Sequence, residues 1–418
     1  MAARNSLAAI VVFLLPYAFL SRLGPLAGNL YGIWAGMAAA FAVYWYGCVE
    51  GRFPLTVTQV LLAGLIGRLI MLPMPPNEDI YRFIWEGKVL THGFSPWILA
   101  PDHPYLAFMR DADWPKINHP HLPTLYPPVA QFVFWVLAVI GPSVMVFKLG
   151  FIACEGLAFT AMRSIATVDA RTLAICFLNP LLIFEGAGQG HYDGLPMAIN
   201  LAFFAALALQ GPVARRWGPS LLGLGALAKV TSFALAPLIL YRYGWKRALA
   251  WWAGLAAVVG ATLWAVEAFD VLNRFATRFR FNGALPSLVD YGLPFLSAPT
   301  RRGILAVLFL ASVAAALRLA RKSEPAGQAL AFMGLLILFF PTLHPWYLIW
   351  ILPFAALARS RPWLLLTATV YISYEVYARA AVTGSWSENP WLRLPEYLPP
   401  LGLWLCQLWR ERRDGSAA

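Results

Sequence analysis

The chain has 418 residues, of which 60% are hydrophobic and only 12% charged, with a formal net charge of +12. A soluble domain usually carries about 25% charged residues and needs them to cover its surface, so this composition excludes a soluble protein. The basic excess therefore reads as Lys and Arg held on cytoplasmic loops, and not as a nucleic-acid-binding face.

Apolar runs at 6–23, 31–46 and 56–72 open the chain, each near the roughly 20 residues needed to cross lipid. The first has Arg4 before it, as signal peptides do, but further spans follow at once, which favours a retained helix. Runs at 132–161, 173–184, 195–209 and 248–266 come next, then 304–317, 329–340, 347–357 and 363–376. The expectation is an all-α polytopic integral membrane protein, a single transmembrane domain over 1–418 with about 11 to 14 membrane segments. Cys48, Cys154, Cys176 and Cys406 are far apart, mostly inside apolar runs, and read as small buried hydrophobes.

Basic clusters give the orientation. Arg242, Lys246 and Arg247 mark one cytoplasmic turn, Arg318, Arg321 and Lys322 another, and Arg359 with Arg361 a third. Three crossings from a cytoplasmic N-terminus leave the loop after Leu72 outside. Arg163 with Arg171, and Arg215 with Arg216, also belong inside, which strict alternation of full spans from residue 125 contradicts. The conflict is relieved if 221–240, interrupted by Lys229, Thr231 and Ser232, is a broken pair of short helices that does not cross. One segment between residues 126 and 163 must then also fall short of a full crossing. Such broken backbone is tolerated only where protein or a wet cavity surrounds it.

Two long stretches lie between the apolar runs, 74–124 (the first outer loop) and 268–300 (the second), with a shorter one at 383–399. The first holds Tyr81, Phe83, Trp85, Phe94, Trp97, Tyr105, Phe108 and Trp114, the wrong content for a solvated linker. Asn77 is a plausible helix N-cap with acids in the first turn. At helical spacing Glu78, Arg82 and Glu86 share a face, and Asp79 lies three before Arg82. Carboxylates, a guanidinium and tryptophan are what a sugar site uses, although an ordinary surface helix with ion pairs has the same spacing.

At this point the sequence resembles a family. Asp79-Ile-Tyr81-Arg82 through Trp85-Glu86-Gly87, then Gly93-Phe-Ser-Pro96-Trp97, then Leu125-Tyr126-Pro127-Pro128-Val-Ala-Gln131, resemble the first outer loop of bacterial GT-C-fold glycosyltransferases. These include the polyprenyl-phosphate-mannose-dependent mannosyltransferases. Asn179-Pro180 with Gly188-Gln189-Gly190-His191-Tyr192-Asp193 is similar to the family's Asn-Pro and His/Asp turn, and Gly225 to Lys229 to its lysine-bearing broken helix. Phe279-Arg280-Phe281-Asn282-Gly283 and Pro341-Thr-Leu-His344-Pro345-Trp346-Tyr347 complete the series. The order of these short motifs, over about residues 75 to 360, carries the likeness. The acidic pair departs from the commonest form, being Glu78-Asp79 instead of two aspartates.

The resemblance implies transfer of a hexose, mannose favoured, from a polyprenyl phosphate donor to a lipid-linked or cell-envelope glycan on the outer face of the inner membrane, with inversion. The partners are then the lipid donor, a glycan or glycolipid acceptor and membrane lipids, with no nucleic acid. Asp79 is the expected base and Glu78 the second choice. Lys229, Arg278, Arg280 and His344 are expected at the donor phosphate. Tyr81, Arg82, Trp85, Glu86, Gln189, His191, Asp193 and Tyr347 are expected at the sugar or acceptor. Lysine inside an apolar run costs about 2.5–3.5 kcal/mol, so Lys229 should be functional unless it snorkels from a helix end. No cofactor is expected. A divalent metal shared by Asp79, His191 and Asp193 is the weaker option, because one His and two carboxylates make a poor Mg²⁺ or Mn²⁺ set. His119 and His121, among prolines, read as structural, and Arg274, Arg301 and Arg302 as loop solvation. A lipid-linked glycan polymerase or ligase stays open as an alternative; a secondary transporter fits less well, because no paired repeat is visible.

Overall fold

The structure is a computed structural model that describes residues 2–209 and 211–415, without the side chains of 2–5, 213, 215, 275–278, 411–412 and 414–415. Its described elements are helical, apart from isolated bridges that join Phe281 and Asn282 to Thr342. Helices α1 (Ala2–Leu20), α2 (Leu30–Tyr44) and α3 (Val57–Met71) pack together, and a capping box at Thr56 and Gln59 starts α3. The 74–124 segment then folds as α4 (Asp79–Thr91) and two short 3-10 turns, against α5 (Pro128–Ile140).

The apolar run at 132–161 breaks at Gly141-Pro142-Ser143, so α5 stops after 13 residues and α6 (Val144–Arg163) makes the long helix. Next come α7 (Ala170–Phe177) and α8 (Pro180–Ile183), bent by 50° across Asn179. Proline removes a helix hydrogen bond there, and the Asn179 side chain caps α8 while donating to Tyr44 and Thr367. Helices α9 (Gly194–Ala208) and α10 (Pro212–Ala228) form an antiparallel hairpin, and α11 (Pro237–Tyr243) turns back after a break at Lys229. Tyr243 and Ala206 both approach Gly218, so the chain leaves and returns at one end of the bundle, with Lys229 at the other.

The remaining helices are α12 (Trp245–Ala265), α13 (Ala268–Arg278), α14 (Ala284–Gly292), α15 (Ala298–Leu319), α16 (Pro325–Phe339), α17 (Leu352–Leu357), α18 (Arg361–Thr369), α19 (Glu375–Thr383) and α20 (Arg393–Gly415). Helix α15 has no buried residue, which for so apolar a helix means a lipid-facing surface. Among the described residues, four helices are long and apolar enough to cross a membrane, or five with the bent pair, and five apolar helices are shorter. The chain is thus an all-α polytopic membrane protein, in which Pro, Gly and buried polar groups cut several apolar runs into pieces too short to span alone.

Charge is sorted along the bundle. Arg359 pairs with Asp169, Arg361 with Glu50, and Arg171 donates to the Cys48 and Val49 carbonyls, all at one end. From that end α3 rises roughly 22 Å to the opposite one, at 1.5 Å per residue. Between the ends, Arg68 on α3 bonds Glu155 on α6 at 2.5 Å, both buried, and its Nη1 donates to the Gly64 and Phe177 carbonyls. Removing one partner leaves the other charge stranded, at a cost of about 3–5 kcal/mol. Arg68→Met should therefore lower the unfolding temperature in detergent sharply, and Arg68→Met with Glu155→Leu should recover most of it. Equal losses in both would mean that packing, not charge pairing, is what fails.

Candidate active site

The cavity lies at the end opposite the Arg359 and Arg361 cluster. Its volume is about 560 Å³, and its walls come from several separate parts of the chain. The N-terminus of α4 supplies Glu78 and Asp79. The turn before α9 supplies His191, Tyr192 and Asp193, the break after α10 supplies Lys229, and 279–281 meet 342–350 on the far side.

Each wall is held by a backbone device. Asn77 accepts from the Asp79 N–H, donates its own N–H to the Gln189 carbonyl, and hydrogen-bonds Tyr377 through its amide. This docks the start of α4 onto the 188–193 turn. A π-helical turn, Phe184–Gly188, extends α8 into that turn. Gly186 has no Cβ because the Glu155 carboxylate occupies the place where one would sit, and Gly190 takes a φ of +82° beneath Ile80. Across the cavity Phe281 exchanges backbone hydrogen bonds with Pro341 and Leu343, so the second long loop is stitched to the His344 segment. Asn282 completes that corner in a left-handed conformation (φ 51°), donating to Glu396 at 2.7 Å.

The acidic wall centres on Asp79. Its Oδ1 accepts from the Asn118 amide at 2.5 Å, and its Oδ2 lies 3.8 Å from Nε2 of His191. Burial, together with the neighbouring Asp79 charge, pushes the Glu78 carboxyl above the ordinary carboxylate range, offset in part by Asn118. Opposite stands Lys229, whose Nζ bonds Asp193 at 2.5 Å and sits about 5 Å from the Tyr192, Tyr347 and Trp350 ring centroids. Trp350 donates to the same Asp193 oxygen. Three aromatic faces and one carboxylate fix the ammonium where it meets the cavity. Between these walls His191, Trp346, His344 and Phe281 stack in one column, with neighbouring ring centroids 3.8, 4.3 and 4.6 Å apart.

Glu78, Asp79, Lys229, Arg280, His344, His191, Asp193 and Tyr347 thus share one cavity, as does Arg82 at its edge. Arg280 pairs with Asp290 on α14. The Arg278 side chain lies outside the described residues. Four of the expected sugar contacts are turned elsewhere. Trp85 is buried on the far face of α4 among Val89, Leu106, Met109 and Ile117, and Tyr81 flanks that cluster with Lys116 over its ring. Gln189 is buried against Met74. Glu86 is fully buried, its oxygens taken by Arg82, Thr124 and Gln131. Arg82 itself donates to the Asn118, His119 and Leu122 carbonyls, so Arg82 and Glu86 clamp the loop that carries Asn118.

Several cavity residues were not anticipated. His119, read as structural, and Arg274, read as loop solvation, both line the cavity, as do Asn118, Tyr377 and Trp386. Burial and the nearby Arg82 hold the His119 imidazole below its ordinary range. Beneath the floor lies Glu185, fully buried, its Oε2 3.1 Å from Nδ1 of His191. An acid inside an apolar run is a legible signal; nothing in the Asn118 sequence context marked it. Among the described residues, no group of three or more His, Cys, Asp or Glu is arranged to hold a metal ion.

A helical membrane bundle with carboxylates and a caged lysine facing one another across an aromatic cavity has the makings of a glycosyltransferase working at the lipid surface. The family comparison agrees. Residues 18–244, more than half of the chain, match the alpha-(1->6)-mannopyranosyltransferase family N-terminal domain, and residues 283–395 match the MptB C-terminal domain. The chain therefore belongs to the alpha-(1->6)-mannopyranosyltransferase family, and is a membrane mannosyltransferase. No curated protein and no solved structure matches it.

The Arg82 clamp yields a test. Arg82→Lys keeps the charge but loses the planar fork that reaches three carbonyls and Glu86. Turnover should fall roughly tenfold or more, because Asn118 is no longer held on Asp79, an effect of the size seen when positioning slips. Full activity in that variant would show that the loop is held by other contacts.

Proposed function

We propose that this protein transfers a mannosyl unit from a polyprenyl phosphate donor to a hydroxyl of a glycan or glycolipid acceptor, at the outer face of the membrane, with inversion. The observation that carries the reading is the facing of Asp79 and Lys229 across one cavity. In the reaction, Asp79 takes the acceptor hydroxyl proton as that oxygen attacks the anomeric carbon, and the polyprenyl phosphate leaves with the bonding pair. Lys229 is suited to neutralise the phosphate charge that develops, with Arg280 and Arg274 on the same side. The family name describes an α-(1→6) product, and inversion to an α product calls for a β-configured donor.

The outer-face assignment is supported by the sorting of charge. Arg171, Arg359 and Arg361 gather at the end away from the cavity, and basic ends lie on the cytoplasmic side. Val230, Val271, Leu272 and Phe340 give the cavity an apolar side that suits a prenyl chain. The polymerase or ligase alternative needs more cationic groups for a diphosphate, whereas Arg280 is already engaged by Asp290.

With purified protein, labelled polyprenyl phosphate mannose and a glycan acceptor, Asp79→Asn should reduce transfer by about 10²- to 10⁴-fold with folded yield intact. Glu78→Gln should keep turnover within a few-fold, because the proton acceptor it leaves in place is Asp79. The reverse pattern would make Glu78 the base. Sidedness is checked separately: Tyr105→Cys, at a 72% exposed loop position, should react with an impermeant maleimide applied from outside once Cys406 is replaced. Protection of that cysteine would put the cavity on the inner face.

A further inference from the structure

His191 stands between two carboxylates. Its Nε2 faces Asp79 Oδ2 at 3.8 Å and its Nδ1 faces Glu185 Oε2 at 3.1 Å. Glu185 is fully buried in the π-helical turn, and its other oxygen accepts from the Tyr374 hydroxyl at 2.7 Å. The imidazole cannot swing away, because Trp346 lies flat against it at 3.8 Å with planes 15° apart. The charged or titratable groups around the unit come from every neighbouring element. Glu78 and Asp79 lie on the α4 side, and Tyr371 and Tyr374 lie behind Glu185. The Arg68–Glu155 pair backs Gly186, His344 stacks on the other face of Trp346, and the Lys229–Asp193 pair lines the same cavity.

A carboxylate on each side of an imidazole constrains its protons. Neither contact is aligned as a hydrogen bond in this structure, but Glu185 Oε2 is the nearer acceptor, so a single ring proton is favoured on Nδ1, which leaves the Nε2 lone pair toward Asp79. An ionised Asp79 has no proton to offer that lone pair. Once Asp79 has taken the acceptor proton, it does.

We propose that Glu185 is a positioning residue for the transfer reaction, holding the His191 tautomer so that Nε2 receives the proton that Asp79 takes from the acceptor. The balance is simple. The acceptor O–H bond breaks as its oxygen bonds the anomeric carbon, the proton goes to Asp79 and then to Nε2, and the imidazolium formed lies between two carboxylates. The electron pair of the broken glycosidic bond leaves with the phosphate. Asp79 is returned to its ionised form inside the cavity, without needing water to reach it. This inference rests on Asp79 being the base.

The test is Glu185→Gln, assayed over pH with labelled polyprenyl phosphate mannose and the same glycan acceptor. The expected result is a roughly ten- to a hundredfold fall in kcat with KM little changed. The acid limb should move to lower pH by about one unit or more, because a negative charge within about 4 Å of the imidazole is gone. Tyr374→Phe provides a gentler second variant should Glu185→Gln fail to fold. It keeps the charge but removes the hydroxyl that holds Glu185 Oε1, so kcat should fall severalfold with KM little changed. In a His191→Gln background, Glu185→Gln should cost nothing further. An unchanged pH profile, a loss confined to KM or folded yield, or additive losses in the double variant would overturn the proposal. Turnover surviving in Asp79→Asn would instead remove the base itself, so the two failures are distinguishable.

Discussion

A charge moved out of water must find a partner, and in an apolar bundle it must find one inside the protein. The architecture of this chain follows from how it meets that requirement. Arg68 with Glu155 ties α3 to α6 at mid-depth, Arg82 with Glu86 locks α4 to the loop that folds over it, and Lys229 with Asp193 ties the end of α10 to the start of α9. His191, set between Asp79 and Glu185, draws the 188–193 turn against α4. All but Arg82–Glu86, which lies within α4 and reaches the loop through its other hydrogen bonds, join segments distant in sequence. Lys148 adds a variant without an acid, since its ammonium donates to the Leu72 and Met74 carbonyls at the end of α3.

Several breaks in helical backbone occur where the walls of the cavity meet. Peptide groups freed from a helix need other partners at membrane depth, and a wet, protein-lined cavity is one place that supplies them. The π-helical turn at Phe184–Gly188, the extended Lys229 and the paired backbone of 281 and 343 all fall there. The same breaks free the side chains that would carry the reaction. An intact helix through residue 229 would spread its neighbours around the axis; the break allows Lys229 to reach Asp193 while three aromatic rings surround it.

Membrane location was legible from composition alone, and so was the break at Lys229, because an ammonium in an apolar run must reach either a buried partner or water. The convergence of residues 78–79, 191–193, 229, 280 and 344 followed from the order of short motifs. Roles within a motif were less legible. Trp85 and Glu86 share the α4 motif with Asp79, yet a helix has a second face, and theirs is packed against the 99–117 segment or bonded to Thr124 and Gln131. Sequence spacing identifies residues on one helix without saying which stripe faces the cavity. Hydropathy registers apolar runs without showing where they break, whereas Gly141-Pro142 and Asn179-Pro180 cut those runs in three dimensions.

Glu185 passed unnoticed by the same logic that exposed Lys229: both are ionisable residues in apolar surroundings. The difference is depth. Lys229 ends at the cavity wall and can touch a ligand, whereas Glu185 is fully buried beneath the floor, against His191 and the Tyr374 hydroxyl. Keeping a carboxylate there is costly unless its interactions are used, and packing alone would be served as well by a neutral residue of similar size. The Tyr374 hydroxyl and an imidazole held by Trp346 flank it, so the histidine ring stands between its charge and Asp79. The aromatic column that confines this ring also surrounds it with apolar faces, and in such surroundings two charges couple more strongly than in water.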